Sequence, residues 1–198
     1  MVTWYYDNKI VALKSSYIEG KRNGIWKSYS QEGKLTELTN YKDGHPFGEW
    51  EKYHPNGKIL YFGKYDDIGN LSQWKEYDDK GKLISTGHYN EFKKLGEWTY
   101  FHENGNIQSH GQIKGELEYA EENIYIDLHL MPYPDTYGDY LPFIPETTLF
   151  VKGGEWKEFD ENCNLKASGQ YKNDKKIGRW SYFNTKGELI KKEEIKSE

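Results

Sequence analysis

A single cysteine, Cys163, excludes an internal disulfide framework. No stretch approaches the roughly 20 apolar residues of a membrane-spanning helix. The N-terminal Met1-Val2-Thr3-Trp4-Tyr5-Tyr6-Asp7 lacks the basic segment and apolar run of a secretory signal. These absences lead us to expect a cytoplasmic protein without membrane contact. Apolar residues are scarce, at 35% against 30% charged, too few for a large oily core. Disorder would fit such polarity, but disordered segments are poor in aromatics, and here these reach 17%. Thin sheets in which a few large rings supply the buried area fit better.

Six tryptophans are set at a fixed interval. Trp26, Trp50, Trp74 and Trp98 are each 24 residues apart, as are Trp156 and Trp180. Only the gap between Trp98 and Trp156 breaks the rule, by 34 extra residues. A period in this range marks a repeat architecture, in which each unit contacts its neighbours. The unit reads Gly48-Glu49-Trp50 to Tyr53, then His54-Pro55-Asn56-Gly57-Lys58-Ile59, then Gly63-Lys64-Tyr65. Stepping back 24 from Trp26, Tyr29 and Tyr41 reaches Val2, Tyr5 and Tyr17, a degraded first copy. Seven units result, with tryptophan-equivalent positions at 2, 26, 50, 74, 98, 156 and 180. Trp74 has Ser72 where its counterparts have glycine.

Each unit predicts a β-hairpin. An aromatic strand runs into a turn such as Pro55-Asn56-Gly57, where Asn and Gly both tolerate positive φ. The return strand alternates: Leu83, Ser85, Gly87 and Tyr89 on one face, Lys82, Ile84, Thr86 and His88 on the other. Small residues in mid-strand leave room for a tryptophan ring over the glycine. Helical periodicity is absent. The expected fold is all-β: one repeat domain over 1–198, an elongated antiparallel meander of seven 24-residue hairpins whose structural core is Trp26, Trp50, Trp74, Trp98, Trp156 and Trp180. An open sheet needs protected edges. Lys191-Lys192-Glu193-Glu194 puts charges on the last strand, and the degraded first unit would cap the other end.

This unit resembles the MORN-repeat variant found in the YwqK-type antitoxin proteins of bacteria. The nearest stretch is Lys172-Asn173-Asp174-Lys175-Lys176-Ile177-Gly178-Arg179-Trp180, with Asp174 where that family usually has glycine. The resemblance implies a non-enzymatic antitoxin or immunity protein whose partner is a cognate toxin. It brings no catalytic residues.

The excess residues lie at about 116–150, between the fifth and sixth repeats. They hold eight acidic residues and no Lys or Arg, whereas the remainder has 24 acidic against 27 basic residues. Ile124, Ile126, Leu128 and Leu130 alternate with Tyr125, Asp127 and His129, which predicts a strand. A Pro- and Tyr-rich loop follows, and long loops of this kind are functional or disordered. Its aromatics and prolines favour an ordered excursion, either a binding segment or a solvated loop covering one sheet face. Acidic groups interleaved with tyrosines suit a basic cleft. The candidate partner-binding residues are therefore Asp127, His129, Tyr133, Asp135, Tyr137, Asp139 and Tyr140.

Catalytic and metal signatures are missing from the pattern. His54 and His102 share a repeat position two units apart, roughly 19 Å at about 4.8 Å per strand, which predicts surface residues and not metal ligands. Cys163 stands at the turn position of Gly33, Gly57, Gly81, Gly105 and Gly187, a drifted turn residue with no histidine in register. No cofactor, catalytic residue or metal is expected, and charges of alternating sign give no nucleic-acid surface. Two other readings remain open at this stage: an aromatic cell-wall or glycan-binding module, and a structural scaffold.

Overall fold

The computed structural model describes residues 1–67, 71–90, 93–113 and 151–196. Fourteen strands form one antiparallel sheet in sequential order. They make seven hairpins: β1 (Val2–Tyr5) with β2 (Val11–Ser15), β5 (Gly24–Tyr29) with β6 (Leu35–Lys42), β7 (His45–Tyr53) with β8 (Ile59–Tyr65), and β9 (Leu71–Tyr77) with β10 (Leu83–Asn90). The remaining three are β11 (Lys93–Phe101) with β12 (Ile107–Ile113), β13 (Lys152–Phe159) with β14 (Leu165–Lys172), and β15 (Lys175–Phe183) with β16 (Leu189–Ile195). A two-stranded ribbon, β3 (Tyr17–Ile18) with β4 (Lys21–Arg22), links the first two hairpins. The repeat is thus an all-β meander, as the 24-residue register requires.

Two kinds of turn alternate. Within a hairpin, one residue adopts positive φ and closes a bulged turn: Gly57 N–H donates to His54 O at 2.8 Å, and His54 N–H to Lys58 O at 2.8 Å. Asn56 does not share the positive φ expected of it. Its side chain instead accepts from Lys58 N–H at 3.0 Å, so the turn is an Asx-type loop with a glycine bulge and not a mirror-image two-residue turn. Cys163 takes the same left-handed conformation at φ 64°, which explains why a side chain is tolerated but unusual there. The two-residue mirror-image turns occur between hairpins, at Asp43-Gly44 and Asn173-Asp174, where both residues have positive φ.

Cross-strand pairing places the tryptophans on one face: Trp50 opposite Gly63, Gly63 opposite Trp74, Gly87 opposite Trp98, and Gly111 opposite Trp156. Trp74, Trp98, Trp156 and Trp180 are no more than 4% exposed. A Cβ added at Gly87 or Gly169 would lie 2.4 Å from the next unit's indole. Where a side chain replaces that glycine the ring moves. Thr39 faces Trp50, which is only half-buried, leans over Gly63, and donates its indole N–H to Glu37 Oε1 at 2.8 Å. Rings follow one another along the face: Trp50 stacks on Trp74 at 5.5 Å, Tyr100 is tilted against Trp156 at 6.0 Å, and Tyr171 meets Trp180 edge-on at 5.2 Å. These contacts add to burial as the main cohesion of a single-layer sheet.

Strict alternation fails at the start of each return strand. Leu83 pairs with Tyr77 and Ser85 with Glu76, so a bulge intervenes, and adjacent Glu76 and Tyr77 point to opposite faces. Leu83 therefore does not share the face of Ser85 and Gly87, contrary to the period-2 reading. Ile107, in the same position, is 39% exposed. Ser72 replaces the positive-φ glycine of other units by donating its hydroxyl to Lys64 O at 2.9 Å. On the last strand, Glu193 lies opposite Trp180, where the third to sixth units carry glycine.

Candidate partner-binding surface

The sequence-predicted partner residues, Asp127, His129, Tyr133, Asp135, Tyr137, Asp139 and Tyr140, lie outside the described residues, as does the predicted strand from Ile124 to Leu130. What the structure gives is the platform from which that segment leaves and to which it returns. β12 and β13 flank it and pair directly: Ser109 with Glu158, His110 with Lys157, Gly111 with Trp156, and Ile113 with Lys152. The hydrogen-bond pattern of an ordinary joint is preserved across the interruption.

A second ladder, along the turns, makes the same point. Asn8 Nδ2 donates to Gln31 O at 3.1 Å and Asn56 Nδ2 to Asp79 O at 2.7 Å, each 23 residues away. Asn104 Nδ2 donates to Glu161 O at 2.7 Å across 57 residues, the same step lengthened by the 34-residue excess. His54 Nε2 and His102 Nε2 lie 3.0 and 3.1 Å from Tyr77 O and Phe159 O. A carbonyl only accepts, so Nε2 carries the proton in both. These histidines are half-buried joints between hairpins, which corrects their reading as plain surface residues. Among the described residues no cluster of three or more His, Cys, Asp or Glu could hold a metal.

Sequence reasoning missed a set of cations over the tryptophan face. Four residues before Trp26, Trp156 and Trp180 stand Arg22, Lys152 and Lys176, a spacing visible once the units are aligned. Arg22 lies 4.8 Å from the Trp26 ring, Lys152 4.5 Å from Trp156, and Lys176 3.8 Å from Trp180. Tyr171 stands between the two lysines, 5.0 Å from Lys152 and 5.9 Å from Lys176. Each pair falls within cation–π range. Glu158 ties the group together: it accepts from Tyr171 Oη at 2.7 Å and from Lys176 Nζ at 3.1 Å. Burial pushes its carboxyl up, but Tyr171 and the two lysines more than offset this and hold it below the usual range. Burial among the rings lowers Lys152, opposed by Glu158 and Asp174. The arrangement is chemically a rigid, self-neutralised mount. Its cations are already occupied by its own rings and carboxylates.

Half-buried tyrosines on both faces give the sheet an alkaline signature. Burial, with Glu76 and Asp174 nearby, pushes Tyr100 up to about 12, and burial with the Glu51 hydrogen bond raises Tyr53 to about 12. A phenol whose folded pKa exceeds its unfolded value of about 10 stabilises the fold fully below pH 10, and that contribution is lost as pH rises through 12. Tyrosinate absorbance should therefore show a late phase near pH 12 that moves to about pH 10 when the protein is unfolded in urea. Titration of every tyrosine near pH 10 in the folded protein would contradict the packing described.

The MORN repeat variant family model matches the chain at residues 22–43, 48–67, 72–91, 94–114 and 152–173, together more than half of its length. These matches coincide with the second to sixth units. No curated protein sequence matches the chain. Among solved structures, the crystal structure of TcdB2-TccC3-Cdc42 aligns with 99% of this chain and 11% of that one, at 13% identity and a TM-score of 0.25. A likeness of that order carries no argument. Five family matches in register with five hairpins do: the chain belongs to the MORN repeat variant family.

Proposed function

We propose that this MORN-repeat protein is a non-enzymatic antitoxin or immunity protein that acts in the cytoplasm, binding a cognate toxin domain and blocking a basic active-site cleft with its acidic insertion. One observation carries the reading. The insertion interrupts the sequence but not the sheet: Gly111 pairs with Trp156 as Gly87 pairs with Trp98. A segment that the fold bridges without loss is retained for something other than folding. Its eight acidic residues, with no Lys or Arg, give it the sign that a nucleic-acid- or nucleotide-directed cleft attracts. Tyrosines among them supply contact area at low entropic cost. A role in which the repeat tryptophans themselves hold sugars or choline is disfavoured, because Trp98, Trp156 and Trp180 are buried under neighbouring units.

The test is co-expression with the toxin-like product of an adjacent reading frame, followed by co-purification. The intact chain should rescue growth and bind stoichiometrically. Changing Asp127, Asp135 and Asp139 together to Asn should weaken binding by at least tenfold at low salt, and the deficit should shrink as salt rises, because screened charges steer less. Unchanged affinity in the triple variant would remove the acidic plug from the account. Failure to rescue would remove the antitoxin reading.

A further inference from the structure

Position 174 is the last residue of a two-residue turn, and its counterparts in the first and second units are Gly20 and Gly44. Here it is an aspartate held at φ 59°, a conformation that costs an L-residue energy that glycine would not lose. The carboxylate has a use. Asp174 Oδ1 accepts from the backbone N–H of Lys152 at 2.7 Å, and the Asp174 N–H donates to the Lys152 carbonyl at 3.2 Å. In the second unit only the backbone half of this clasp exists, Gly44 N–H to Arg22 O at 2.9 Å.

The difference falls where the chain needs it. In an ordinary joint the strand after the turn is tethered covalently to the strand before it: Tyr41 pairs with Pro46, five residues on. Ile113 pairs with Lys152, 39 residues on, so the covalent tether imposes almost no local constraint. A hold from the neighbouring hairpin can replace it. Lys152 receives one from the turn that leads into the seventh hairpin, the Asp174 carboxylate on its amide, while the Trp156 and Tyr171 rings of its own hairpin surround its ammonium.

We propose that Asp174 is a positioning residue for the insertion, clamping through Lys152 the strand by which that segment returns to the sheet. The clamp deepens the antitoxin reading, since fixing one leg of a binding loop lowers the ordering cost of association, and for that consequence it rests on that reading. Its physical existence is testable without any partner. Amide hydrogen exchange is measured on the full-length chain and on Asp174→Gly and Asp174→Asn. Glycine suits the positive φ but has no acceptor; asparagine tolerates the φ and keeps the acceptor oxygen.

In D174G the Lys152 amide should exchange at least about tenfold faster, the loss of one charge-assisted hydrogen bond, while the melting temperature stays the same or rises. Gln170 and Ile177, which pair with each other in β14 and β15, should remain as protected as before. D174N should retain the protection of Lys152. An unchanged Lys152 amide in D174G would overturn the clamp. So would a loss spread equally over β14 and β15, which would make Asp174 an ordinary turn residue. Either failure leaves the growth-rescue test of the antitoxin reading untouched.

Discussion

Replacing Gly111 by alanine should remove a large part of the protein's stability. A Cβ there would lie 2.4 Å from Trp156 Cδ2 and 2.6 Å from the Glu155 carbonyl oxygen. The ring could swing away, but the carbonyl belongs to a paired strand and cannot. Relief requires β12 and β13 to separate at the very pair that joins the fifth and sixth hairpins. Overpacking typically costs about 1–3 kcal/mol, and the backbone clash puts this site at the upper end of that range, against a total of roughly 5–15 kcal/mol for a typical domain. Urea unfolding followed by tryptophan fluorescence reads the effect directly. Thr39→Ala is the matched control, because that position already carries a Cβ and Trp50 has already moved aside. It should cost about 1 kcal/mol. Equal losses in the two variants would refute the view that indole rings lie on bare glycine backbone.

Excising residues 115–150 and closing the gap with Asn-Gly should move stability and function in opposite directions. The replacement leaves Lys114-Asn-Gly-Val151, four residues between Ile113 and Lys152, the same number that separates Tyr41 from Pro46. Asn-Gly adopts the mirror-image turn seen at Asp43-Gly44. Shortening the closed loop from 38 residues to four should raise stability by up to about 2 kcal/mol on loop-closure grounds. Under the proposed antitoxin role, the same variant should lose toxin neutralisation entirely. A chain that unfolds on excision would show the insertion to be structural, and a chain that still neutralises would move the binding surface onto the sheet.

The architecture was legible in the sequence because its physical cause is periodic. A ring at every twenty-fourth residue and a glycine thirteen residues after it, as in Trp98 and Gly111, can be read without knowing the pairing. What the period hid were features that depend on register. The bulge that separates Leu83 from Ser85 arises from a pairing shift against Glu76 and Tyr77, which no single strand reveals. The conformation of Asn56 could not be read from Asn-Gly alone, since the same dipeptide serves two turn types and only the loop length decides between them. Arg22, Lys152 and Lys176 escaped notice because each looks like an ordinary strand cation until its ring partner is placed. Asp174 stood out in sequence as a departure from glycine. Its partner, a backbone amide 22 residues away, has no signature of its own.

The turn ladder divides the sheet unevenly. Side chains from the first, third and fifth hairpins, Tyr6 with Asn8, His54 with Asn56, and His102 with Asn104, reach forward to the second, fourth and sixth. Among the described residues the turns at the intervening seams are joined by single exposed lysines, Lys34 to Pro55 O and Lys82 to Glu103 O. Along the turns, side-chain links are therefore denser within the first–second, third–fourth and fifth–sixth pairs of hairpins than between those pairs. The acidic segment leaves and rejoins the sheet within the fifth–sixth pair, where His102 and Asn104 span the joint from turn to turn and hold its two ends in register.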